Sequence, residues 1–164
     1  MIVVDTNVIV YLYLPGEFTA AAEALLESDP EWAAPLLWRS ELRNILMGYV
    51  RRGGLDVEQA LAIQREAEAL LAPGEADVDS EAVLRLAAQS GCTAYDCEFV
   101  ALAQKLAVTL ITMDRALLRA FPEMAQALVE RKALNDLLSA AESHADMSVR
   151  PRGRARRRSD PDLN

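Results

Sequence analysis

The sequence predicts a three-layer α/β/α fold, in which helices cover both faces of a central parallel sheet of four or five strands. Two short β-branched runs, MIVV at 1–4 and VTLIT at 108–112, are typical of buried strands. Long segments with the 3.6-residue apolar period of helices separate these two runs. Strands that alternate with helices favour a parallel sheet, because each crossover lays a helix on one of its faces.

The remaining elements follow in chain order from periodicity and turn residues. WAAP near residue 32 and ADV near residue 76 are weaker strand candidates. DTNVIVYLY and DRALLRAF both look like helix starts, because Asp is a favoured N-cap residue. Helical periodicity is found at 18–28, 36–51, 57–71, 80–89, 94–106 and 115–120. Turn residues between these segments are Pro15-Gly16, Gly53-Gly54, Pro73-Gly74 and Gly91.

The segment after Pro122 fits two structures. MAQALVERKALNDLLSAAES fits a further helix, but its apolar stretch at 127–129 also fits a last edge strand. We expect one domain at 1–128, a C-terminal helix at 129–147 and a disordered tail at 148–164. The net charge is −8, yet the tail segment RPRGRARRR holds six of the 17 basic residues, so an acidic body precedes a basic end.

Several kinds of chemistry are excluded by what the sequence lacks. His144 is the only histidine, which argues against Ser-His-Asp and multi-histidine metal sites. Cys92 and Cys97 lack the spacing and partners of a zinc site, so we expect free thiols. Neither a P-loop nor a GxGxxG motif is present. With no signal sequence or membrane-spanning stretch, we expect a soluble cytoplasmic protein, in which any catalysis comes mainly from carboxylates.

Four acids occupy positions that suggest a shared site. Asp5 directly follows MIVV and Asp114 follows VTLIT by one residue, so both should lie at one edge of a parallel sheet. Glu41 and Asp96 lie on apolar faces of two predicted helices. Each acid also has an ordinary explanation: helix capping for Asp5 and Asp114, a solvent-directed carboxylate for Glu41, and a capping box with Thr93 for Asp96.

Together the four acids predict a cation site. Two carboxylates about 4 Å apart repel by on the order of 4 kcal/mol at an effective dielectric constant of about 20, so a cluster needs a cation or protons. Oxygen ligands without His or Cys favour Mg²⁺ or Mn²⁺. Such ions activate water and stabilise a phosphodiester during in-line displacement, which indicates phosphoryl hydrolysis.

Four motifs in this order resemble the PIN-domain ribonucleases, and more narrowly the VapC-type toxins of toxin–antitoxin pairs. They are MIVVDTN, SELRNIL, AYDCEFVALA and LITMD, and the resemblance spans about residues 1–125. Members of the family usually end with a fifth strand, whereas the corresponding segment here is mostly helical in pattern. The Arg-rich end lies outside the resemblance.

The resemblance implies a site, a cofactor and partners. The family's acidic quartet, which holds one or two divalent ions, corresponds to Asp5, Glu41, Asp96 and Asp114. Thr6 or Asn7 and also Thr112 match polar positions that assist around such a site. Thr112 would orient water or phosphate. An RNA substrate, an antitoxin that covers the pocket with an Arg, and a homodimer are implied in the same way.

A Mg²⁺-dependent endoribonuclease is the leading hypothesis for the function. A haloacid-dehalogenase-like phosphatase would need a second acid where Asn7 stands, and a non-catalytic PIN-fold interaction module is the other alternative. The RPRGRARRR segment is either an end without function or a segment that reaches RNA or the chain's own site. Candidate RNA contacts, each also explicable as an ordinary solvated residue, are Arg39, Arg43, Arg51, Arg52, Lys105 and Arg115.

Overall fold

The computed structural model describes residues 1–128. Its strands are β1 (Ile2–Val4), β2 (Trp32–Pro35), β3 (Glu75–Ala76), β4 (Leu110–Thr112) and β5 (Ala125–Ala127). All pairings are parallel and the strand order is β3-β2-β1-β4-β5, which confirms the predicted fold class with five strands. The predicted helix at 129–147 and tail at 148–164 lie outside the described residues.

Helices connect these strands. They are α1 (Thr6–Tyr13), α2 (Thr19–Ser28), α3 (Leu37–Arg51), α4 (Val57–Leu71), α5 (Ser80–Ser90), α6 (Ala94–Leu106) and α7 (Arg115–Ala120). The six periodic segments agree with α2 to α7 within one residue, and α1 begins directly after Asp5, as the DTN sequence predicts. None of the helices in residues 1–128 is long and apolar enough to cross a membrane.

The pairing of β1 with β4 brings distant parts of the sequence together. The register places Val4 opposite Ile111, and both side chains are buried. The backbone N–H of Asp5 continues the ladder by donating to the carbonyl oxygen of Ile111 at 3.0 Å. Because parallel strands end at the same edge, Asp5 and Asp114 lie at that edge.

The segment after Pro122 forms an edge strand where the sequence allowed a helix or a strand. β5 spans Ala125–Ala127, two residues earlier than the apolar stretch at 127–129, and pairs with β4 over its whole length. Ala125 is buried, and the N–H of Leu110 donates to the carbonyl oxygen of Met124. Pairing with a buried neighbour therefore outweighs the helical pattern of this segment.

The short strand β3 is held to the sheet by close backbone packing and by side chains. A Cβ on Gly74 would lie 2.1 Å from the carbonyl oxygen of Trp32, so only glycine allows this approach. Glu75 accepts two hydrogen bonds from Arg39, at 2.6 and 2.7 Å, and one from the Trp38 indole at 2.8 Å. Arg39, a candidate RNA contact, therefore helps to hold β3 in the sheet through its ion pair with Glu75.

Candidate metal-binding active site

The four predicted acids line one pocket at the carboxyl edge of the sheet. The pocket has a volume of about 320 Å³. Its lining residues are Asp5, Thr6, Asn7, Glu41, Asn44, Ile45, Asp96 and Asp114. Carboxylates from α3, from α6 and from the ends of β1 and β4 thus meet in a single concave site, as the sequence indicates.

Asp5 is fixed by neighbouring polar side chains. Its Oδ2 atom accepts hydrogen bonds from the Thr112 hydroxyl at 2.5 Å and from the Asn7 amide at 2.6 Å. Although Asp5 occupies the N-cap position of α1, its side chain makes no capping hydrogen bond. Burial raises the pKa of Asp5 and the charges of Asp96 and Asp114 raise it further, while the Thr112 hydrogen bond opposes this rise.

Glu41 faces the pocket from α3. Its Oε2 atom accepts a hydrogen bond from the Thr6 hydroxyl at 2.5 Å. Burial raises the pKa of Glu41, the Thr6 hydrogen bond opposes that effect, and the charges of Asp5, Asp96 and Glu98 raise it further. The carboxylate is therefore half-buried among like charges, and the solvent-directed alternative does not describe it.

Asp96 and Asp114 combine a capping role with a place in the pocket. Asp114 Oδ1 accepts hydrogen bonds from the backbone N–H groups of Ala116 and Leu117 at the start of α7. Asp96 Oδ2 accepts from the N–H and hydroxyl of Thr93, forming the predicted capping box. The capping explanation is right for both residues. It leaves the second oxygen of each carboxylate without a hydrogen bond among residues 1–128.

Thr112 connects the acids at the two strand ends. Its side chain is fully buried, its hydroxyl donates to Asp5, and the same oxygen accepts from the N–H of Asp114 at 2.9 Å. Thr112 is not among the residues that line the pocket, and its hydroxyl links Asp5 to the backbone of Asp114. Its expected role in orienting water or phosphate stays a prediction. Asn44 and Ile45 were not predicted as lining residues, although their spacing from Glu41 places them on the same helix face.

The donor set fits a hard divalent cation. All four acids supply oxygen, and two of them have pKa values raised by burial and mutual repulsion, which a bound cation would reverse. Across residues 1–128, no three acidic, histidine or cysteine side chains lie close enough together to coordinate one metal ion directly. This spacing agrees with Mg²⁺, which keeps several of its waters and binds directly to only one or two carboxylates.

Comparison with known proteins agrees with this geometry. A sequence model described as the PIN domain matches residues 2–124. The chain therefore belongs to the PIN-domain family.

One relative indicates which branch of the PIN-domain family the chain resembles. The chain is 35% identical over 127 residues to Ribonuclease VapC3 of Pyrobaculum aerophilum, which covers 75% of this chain and 96% of that protein. It is thus similar to the VapC branch of the family.

Solved structures share the fold. PAE2754 from Pyrobaculum aerophilum has a TM-score of 0.63 at 22% identity and covers 84% of this chain and 88% of that one. A toxin–antitoxin complex from Klebsiella pneumoniae has a TM-score of 0.61 at 19% identity and covers 79% and 99% of the two chains.

Proposed function

We propose that the chain is a Mg²⁺- or Mn²⁺-dependent endoribonuclease and the toxin of a VapBC-type toxin–antitoxin pair. The convergence of Asp5, Glu41, Asp96 and Asp114 on one pocket carries this proposal. Similarity to a protein named Ribonuclease VapC3 supports the choice of RNA as substrate. The amide of Asn7, which hydrogen-bonds to Asp5 where a phosphatase of the dehalogenase type would need an acid, agrees with this choice.

Five residues at the site have roles in the proposed reaction. Asp5, Asp96 and Asp114 hold the divalent ion, and Thr112 keeps Asp5 in place. The ion would supply Lewis-acid stabilisation of the phosphodiester and a more acidic water. Glu41 completes the ligand set or accepts a proton from the attacking water, a role that suits a carboxylate whose pKa is raised.

Cleavage by the purified chain tests the proposal. RNA should be cut with Mg²⁺ or Mn²⁺ and remain intact with chelator, and Asp5→Asn should lower the rate at least about a hundredfold, as for loss of one electrostatic stabiliser. Asp56→Asn is the control, since this acid makes a capping box on α4 away from the pocket. Cleavage by Asp5→Asn at the wild-type rate would refute the proposed site.

The partners follow from the toxin assignment. One similar structure is described as a toxin–antitoxin complex, and an antitoxin for this chain would place an Arg among the pocket carboxylates, because guanidinium pairs well with carboxylate oxygens. We also propose a homodimer and a cytoplasmic location. Relief of growth inhibition by a small gene beside the chain's own gene would support the pairing, and growth unaffected by the chain alone would contradict it.

A further inference from the structure

The face of α3 that carries Glu41 continues beyond the pocket. Glu41, Ile45 and Gly48 recur every three or four residues, and Arg52 follows at the C-cap position of the helix, so all four lie on one side of α3. Glu41 and Ile45 line the acidic pocket. Gly48 and Arg52 therefore extend the same surface away from it.

The guanidinium of Arg52 is held over Gly48. Its Nη1 and Nη2 atoms lie 3.3 and 3.6 Å from the position that a Cβ on Gly48 would occupy. The guanidinium also lies 5.0 Å from the ring centroid of Tyr49, which is a cation–π contact. The side chain thus folds back toward the pocket. Its charge lies near the level of Gly48, roughly 10 Å from Glu41 along the helix axis.

Within residues 1–128, the side chain of Arg52 makes no hydrogen bond or ion pair, whereas several other basic side chains do. Arg39 and Arg85 form ion pairs with glutamates. Arg43 and Lys105 donate to backbone carbonyl oxygens. An exposed arginine that packing holds in place, and that has no anionic partner, keeps its donors free for an anionic ligand.

We propose that Arg52 binds a phosphate of the RNA strand on one flank of the scissile bond and so directs the strand along α3. This inference rests on the proposed ribonuclease function and adds the path of the substrate. The acidic pocket repels backbone phosphates, so the strand needs a cationic contact close by. A guanidinium suits this contact because its planar donors can bind two phosphate oxygens at once.

The test is binding and cleavage of a single-stranded RNA oligonucleotide by the full chain. Arg52→Gln should weaken binding in chelator and raise KM roughly tenfold, with kcat unchanged, as for a lost hydrogen bond to a charged group. The slope of log affinity against log salt concentration should fall by about 1. Arg85→Gln makes the same charge change on α5, where Arg85 pairs with Glu81. This control variant should leave the RNA affinity, the KM and the salt slope unchanged.

Gly48→Leu is an independent variant that changes no charge. Its side chain would fill the space in which the Arg52 guanidinium lies, so KM should rise as it does for Arg52→Gln.

Three outcomes would overturn the proposal. The first is equal RNA affinity in Arg52→Gln and Arg85→Gln while the wild type cleaves RNA, which would leave the ribonuclease function standing. The second is a loss of poly-glutamate binding in Arg52→Gln as large as the loss of RNA binding, which would assign Arg52 to an acidic protein partner. The third is a wild-type chain that cleaves no RNA, in which case the proposed function fails and the phosphate site fails with it.

Discussion

Asp5 and Glu41 are carboxylates held where ionisation is unfavourable. Burial raises the pKa of both, and the charges of neighbouring acids add to the rise. An ionised carboxylate in such a place lowers the free energy of unfolding, because its charge is less stable in the folded chain than in the hydrated unfolded chain. The acidic pocket thus makes the fold less stable. A cation that binds only the folded chain would restore this stability.

Glu41→Gln should raise the melting temperature of the metal-free chain at neutral and alkaline pH. Because the folded-state pKa of Glu41 is raised, its proton stabilises the fold fully below the unfolded pKa of about 4.3, and this contribution is lost as pH rises through the folded pKa. The Gln amide oxygen can still accept the Thr6 hydrogen bond without carrying charge.

Thermal unfolding in chelator between pH 4 and pH 8 measures this effect. We expect the gain from Glu41→Gln to be near zero at about pH 4 and to grow toward pH 8. Glu123→Gln, which changes an exposed acid in a turn, should show no such trend. A gain that is independent of pH would contradict the electrostatic explanation.

The sequence predicts which acids meet, but not how each is held. Strand ends and helix faces place Asp5, Glu41, Asp96 and Asp114 at one edge, and these signals come from periodicity alone. The direction of the Thr112 hydroxyl depends on distances across the β1–β4 pair, and periodicity gives no distances. The roles of these residues in binding a metal stay predictions.

At the scale of elements, β3 depends on its contacts with the start of α3. The strand has two residues, and its Glu75 carboxylate receives the Arg39 guanidinium and the Trp38 indole. The Arg39 hydrogen bond lowers the pKa of Glu75, and the Trp38 hydrogen bond adds to this effect while burial opposes it. α3, which carries Glu41, is thereby tied to the sheet edge.

Glu75→Gln should lower the free energy of unfolding by about 1–3 kcal/mol, because it replaces charge-assisted hydrogen bonds with neutral ones. The depressed pKa means that this contribution is present above the unfolded pKa of about 4.3 and is lost as pH falls through the folded pKa. Denaturant unfolding at pH 7 and at a series of pH values that extends well below about 4.3 measures both effects.

Glu68→Gln is the matched comparison for Glu75→Gln. Its carboxylate lies 3.3 Å from the Arg39 guanidinium and its side chain is 35% exposed, against 11% for Glu75, so the loss should be smaller. Equal losses in the two variants would contradict the special role of Glu75.

The edge of the sheet shows where prediction from sequence stops. The buried central strands are visible as β-branched runs, and the helices as periodic segments. β5 is not visible in this way, because AQA has no strand pattern of its own and becomes a strand through its pairing with β4. The ADV candidate likewise marks β3 only approximately, since the strand spans Glu75–Ala76.

At the scale of the whole molecule, the strand order joins acids that are far apart in the sequence. β1 and β4 are neighbours at the centre of the sheet, so Asp5 and Asp114 share an edge despite the 108 residues between them. The parallel sheet and its helical layers follow from the sequence pattern. The chain as a whole carries a net charge of −8, so RNA binding has to come from local contacts such as the one proposed for Arg52.

The central claim is that the four pocket carboxylates form one divalent-cation site, and calorimetric titration of Mn²⁺ into the full chain tests it most directly. We expect saturable binding by the wild type, loss of that binding in Asp5→Asn and in Asp114→Asn, and unchanged binding in Asp56→Asn. Mn²⁺ binding by Asp5→Asn and Asp114→Asn as strong as by the wild type would contradict the claim.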